Sequence, residues 1–134
     1  MAPRRLKGNA PMAAQRYNLI IDQAATFKLD IFRYTDSSQS QAVDLTGHKI
    51  QITIRQNYDS TDELYSDDSS QGSTNIVIDA VTGHVTVTIP SETTAGFPAP
   101  YSGVYDLLDT DGNGNVVRLL EGIVSISPGV TRAA

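Results

Sequence analysis

Cysteine and tryptophan are both absent from this 134-residue chain. Without cysteine there is no disulfide framework and no thiolate zinc site. That absence suits folding in a reducing cytosol. No apolar run approaches the roughly 20 residues that span a bilayer as a helix. The opening MAPRRLKGNAPMAAQR is basic but lacks the apolar centre of a secretory signal, so no leader is expected there. Long 3.6-residue periodicity is missing as well, while Val, Ile and Thr are abundant. The expectation is an all-β protein, of a length that fits one domain.

Charge of one sign is missing locally. Residues 1–16 carry Arg4, Arg5, Lys7 and Arg16 and no acid, a charge of +4. The remaining six Lys/Arg face all fifteen Asp/Glu, giving −9 and a total of −5. An acidic body repels nucleic acid and membrane phosphates, so neither is expected as a partner. The division read from the sequence is a flexible basic arm over 1–16 and a β-sandwich domain over 17–134.

Apolar residues in the domain recur with period two. YNLIID (17–22) and ATFKLDIFRY (25–34) are strand candidates, the second with Phe27, Leu29 and Ile31 on one face. HKIQITIRQ (48–56) alternates most cleanly: Ile50, Ile52 and Ile54 face the core, and Lys49, Gln51, Thr53 and Arg55 face outward. NIVID (75–79) and HVTVTI (84–89) form a hairpin around Ala80–Gly83. The longest apolar stretch is the hairpin VYDLL–DTDGNG–VVRLLEGIVSI, whose strands suit the middle of a sheet. Gly122 is expected to mark a bulge. Ser91 reads as the cap of one helical turn with Thr94 three residues on, and Phe97 as a plug at one end of the core. Residues 57–73 read as a long acidic loop with Leu64 and Tyr65 as anchors. The pattern predicts an immunoglobulin-like β-sandwich of seven to eight short strands with a flexible N-terminal arm.

Little in the chain points to catalysis. Asp109, Asp111 and Asn113 begin a D-x-D-x-N-G pattern like the start of a calcium loop. The twelfth position is Leu120 rather than an acid, and the flanks are strands, so a plain turn is favoured. His48 and His84 open separate strands without a metal-ligand spacing. Asp106 and Glu121 fall on facing strands, as a carboxylate pair would. Neither a phosphate loop nor a nucleophile elbow is present. No enzyme activity, cofactor or metal is expected. The candidate partner-docking residues are Arg4, Arg5 and Lys7 on the arm and Asp62, Glu63, Asp67 and Asp68 in the acidic stretch.

Several segments together resemble a family of small tailed-bacteriophage virion proteins, including the N-terminal domain of phage upper baseplate proteins. They are YNLIIDQAATFKLDI (17–31), VDLTGHKIQITIR (43–55) and GHVTVTIPSETTAGFPAPYSGVYDLLDTDGNGNVVRLLEGIVSISPGVTR (83–132). Ala24 stands where that pattern has Gly, and His48 where it has Tyr or Ala. The resemblance implies a structural docking or adaptor component of the tail, baseplate, neck or fibre attachment. It would be located in the virion, assembled in the bacterial host cytoplasm, and partnered by other phage structural proteins and by copies of itself in a symmetric assembly. A capsid decoration (cement) protein remains an alternative. So does a host-glycan-binding adhesion module, for which Tyr58, Tyr65 and Tyr101 would be the loop aromatics. No catalytic residue is implied.

Overall fold

Period-two alternation decides most of the architecture. The computed structural model describes residues 14–34 and 41–130, with the backbone of residues 4–6. The strands are β1 (Arg4–Leu6), β2 (Gln15–Arg16), β3 (Leu19–Asp22), β4 (Phe27–Arg33), β5 (Lys49–Arg55), β6 (Tyr65–Asp68), β7 (Ile76–Asp79), β8 (His84–Ile89), β9 (Tyr101–Thr110) and β10 (Val116–Ser127). They make two sheets. One has the order β1-β4-β8-β7; the other runs β2-β10-β9-β5-β6, with β3 following β2 along β10. The fold is an immunoglobulin-like β-sandwich.

The inward residues of both sheets form one core. Leu29 and Ile31 of β4, Ile50, Ile52 and Ile54 of β5, and Val87 of β8 are fully buried. Each such side chain contributes about 1.5–3 kcal/mol on leaving water. Phe97 is buried as expected and meets Tyr65 edge-on, with ring centroids 6.1 Å apart.

Several expectations need correction. The arm read as flexible contains strand: β1 runs parallel to β4 and β2 parallel to β10. The remainder of 1–13 lies outside the described residues, as do most of the polar loop at 35–41 and the C-terminal residues 131–134. The acidic stretch is not one loop. Its second half is β6, antiparallel to β5, followed by a 3-10 turn at Ser69–Gln71. The tip of the long hairpin is also shorter than expected, because β9 carries on through Asp109 to Thr110.

The bulge in β10 lies between Arg118 and Leu120, not at Gly122. Leu119 and Leu120 are both buried, so the strand changes phase there. Gly122 answers a different need. A Cβ on it would lie 2.6 Å from the Tyr17 carbonyl oxygen, where β2 passes into β3. Asn18 Oδ1 accepts from the Ile123 amide and bridges that break. Before the helical turn Ser91–Ala95, the cap position is Pro90 without a side-chain hydrogen bond. The Thr94 hydroxyl instead donates to the Ala25 carbonyl at 2.8 Å, tying the turn to the β3–β4 connection.

Candidate docking surface

Two charged clusters stand out, one inside the sandwich and one outside. The inner cluster follows from strand parity. One step beyond Ile31 on the core-facing register of β4 is Arg33, one step beyond Leu107 on β9 is Asp109, and one step before Ile50 is His48. All three point inward at the same end of the sandwich. Asp109, 2% exposed, accepts from Arg33 Nη1 at 2.5 Å and from His48 Nδ1 at 2.7 Å. Arg33 Nε is buried without a hydrogen-bond partner. The carboxylate thus joins the two sheets with both oxygens engaged.

That arrangement bears on the calcium reading. Asp109 points inward to Arg33 and His48. Asp111 turns to the hairpin tip, where it accepts from the amides of Asn113 and Asn115 at 2.8 and 2.9 Å. Hydrogen bonds from Asn115 hold its carboxyl below the usual carboxylate value against the small cost of desolvation. Asn113 is exposed at that tip. The Asp109 and Asp111 carboxylates are spent on fold and turn, and no cluster of metal-ligating side chains occurs among the described residues.

The outer cluster lies on the outward face of the six-stranded sheet. Asp106 on β9 is directly opposite Glu121 on β10, and Arg118 bridges them at 3.4 and 3.6 Å. The expected carboxylate pair therefore exists, tied to a cation, and all three residues line a shallow concavity of the sheet face. Gln51, Thr53 and Arg55 of β5 continue the face, and with Tyr58 they border the same concavity, of about 420 Å³. Arg55 donates to the carbonyls of Ser60 and Thr61, which fixes the start of the following loop.

The docking candidates are not brought together. Arg4 and Arg5 lie in β1 beside β4, and Lys7 is outside the described residues. Asp62 and Glu63 are exposed in the loop before β6, at a second concavity of about 570 Å³ that Tyr101 also lines. Asp67 and Asp68 belong to β6 and are partly engaged internally. Asp67 accepts from Ser73 at 2.7 Å, and Asp68 accepts from Ser70 while lying 3.8 Å from Lys49. In the six-stranded sheet, β6 is the edge opposite β2 and β3. Ile20, Val104, Leu108 and Ile123 on the outward face were not singled out from the sequence, although outward parity marks them.

An all-β immunoglobulin-like sandwich is the class these observations define. No protein-family model matches the sequence, and no curated protein sequence matches it. Solved structures that resemble the chain do so at low identity. The N-terminal domain of ORF48 from phage TP901-1 is 7% identical with a TM-score of 0.50, covering 95% of this chain and 99% of that one. CopC from Methylosinus trichosporium OB3b is 13% identical with a TM-score of 0.40, covering 92% and 93%. Extracellular domains 3–5 of Drosophila OTK are 13% identical with a TM-score of 0.35, covering 81% and 32%.

Proposed function

We propose that this chain is a structural virion protein of a tailed bacteriophage. It acts as a docking or adaptor module of the tail, baseplate, neck or fibre attachment and has no enzymatic activity. The observation that carries this reading is the end-to-end fold likeness to a domain of a phage protein. It falls on a chain whose segments from Tyr17 to Arg132 already resemble phage virion proteins. Both sets of carboxylates that hinted at chemistry are engaged with cations or turn amides, which favours scaffold over catalyst. The loop aromatics favour docking over glycan binding: Tyr58 borders one concavity, Tyr101 lines the other, and Tyr65 packs on Phe97.

The test is quantitative mass spectrometry of purified particles of the phage that encodes the chain. The expected result is the intact chain at a fixed stoichiometry to the tail proteins. Absence from purified particles, with the chain present in the infected cell, overturns the proposal.

A further inference from the structure

The outward face of the six-stranded sheet is apolar at positions where a solvated sheet carries polar residues. Val104 and Ile123 are direct cross-strand partners. Ile20 stands one strand further out, opposite Ser125. Ile20 is 68% exposed and Ile123 43%, while Val116, 58% exposed, lies apart from them at the start of β10. Apolar side chains clustered in this way on a polar-rimmed surface mark an interaction site.

The outward face of the other sheet also exposes one apolar residue, Val77 at 58%, but its polar groups are paired. There Phe32 stacks on His84 with ring centroids 4.2 Å apart, and Asp30 accepts from His84 and Thr86 at 3.0 and 2.8 Å. Those groups satisfy one another. On the six-stranded face, Gln51 and Thr53 have no side-chain partner among the described residues.

Charge indicates the occupant. By strand parity the outward face carries four cations, Arg16, Lys49, Arg55 and Arg118. It also carries four acids, Asp22, Asp68, Asp106 and Glu121. The whole formal charge of −5 therefore lies elsewhere on the chain. Two copies repel each other over most of their surfaces but not here. Both signs lie close together, with Arg118 against Asp106 and Glu121 and Lys49 beside Asp68. A face that carries both signs and no net charge lets an acid of one copy meet a base of the other across a two-fold axis. A strongly basic or strongly acidic partner would gain no net attraction on this face.

We infer that this face docks a second copy of the chain. A two-fold contact packs Ile20, Val104 and Ile123 against their equivalents and sets Arg118 of one copy over the Asp106–Glu121 pair of the other. The inference supplies the self-assembly part of the virion reading, yet it is tested on the purified chain alone.

Sedimentation equilibrium of the full-length protein up to about 500 µM reads the association directly. The wild type is expected to show a monomer–dimer equilibrium. Ile123→Asp weakens it by roughly ten-fold or more, as truncating an apolar anchor does, and leaves the melting transition in place. Val81→Asp, at a more exposed position (83% against 43%) in the β7–β8 turn, leaves association unchanged. Ile123→Thr preserves strand propensity and weakens association too, so a folding defect in the Asp variant does not remove the test. A monomer over the whole range, or equal weakening by Val81→Asp, overturns the inference. So does oligosaccharide binding by a monomeric chain that is lost in Tyr58→Ala, which would assign the face to a carbohydrate. A chain that dimerises yet is missing from particles sustains this inference and removes the virion reading; a monomeric chain found in particles does the reverse.

Discussion

Asp109 and Arg118 occupy mirror-image settings. Asp109 is an acid between two bases, Arg33 and His48, inside the sandwich; Arg118 is a base between two acids, Asp106 and Glu121, on its surface. The chemistry is alike and burial separates them, since the Asp109 side chain is 1% exposed and that of Arg118 is 54%. Buried charges cost much to desolvate and are very costly to leave unpaired, so the inner trio holds the two sheets in one arrangement. Exposed pairs add little to folding because water screens them, so the outer trio is free to serve a contact.

Breaking the inner trio gives the largest expected effect. Asp109→Asn leaves the Arg33 guanidinium buried without its counter-charge and should lower stability by about 3–5 kcal/mol. Chemical denaturation measures the loss. Replacing the pair together by apolar residues, Arg33→Met with Asp109→Leu, should restore much of it, because no uncompensated charge then remains. A double variant as unstable as Asp109→Asn would mean that the trio contributes more than charge pairing.

Ala24 calibrates the scale from outside both clusters. It has φ 67° in the β3–β4 turn, closed by the Ala25 amide donating to the Asp22 carbonyl at 3.1 Å. Left-handed backbone disfavours a Cβ, so Ala24→Gly should raise stability by about 0.5–1 kcal/mol. The same denaturation experiment reads it.

The smallest effect on folding belongs to the outer trio. Arg118→Ala should change stability by less than about 1 kcal/mol. A loss comparable to that of Asp109→Asn would erase the distinction between the clusters.

Much of this was legible in the residues. The period-two runs at 27–33, 49–55 and 84–89 gave three strands nearly to the residue, since one face of each is fully buried. Strand β6 was not legible: YSDD is an edge segment whose acids suit an exposed border, so it carries no apolar alternation. Gly122 suggests the bulge in the sequence, but the phase change lies at Leu119 and Leu120, two adjacent buried residues. The inner trio was legible in principle. Arg33, His48 and Asp109 each extend an inward apolar register by one step, and only the pairing of β4, β5 and β9 across the two sheets shows that they meet. The outward face stayed hidden for the opposite reason: an apolar run in a central strand reads as buried on both sides, and the structure covers only one.

The most direct test exchanges the charges of the outer trio between copies. Arg118→Asp, and separately Asp106→Lys with Glu121→Lys, each place like charges face to face across the two-fold and should be monomeric where the wild type associates. Sedimentation of their equimolar mixture is the deciding measurement. The account predicts a one-to-one heterodimer, because each variant supplies the sign that the other lacks. A mixture that sediments as two monomers, under conditions where the wild type is dimeric, would contradict it.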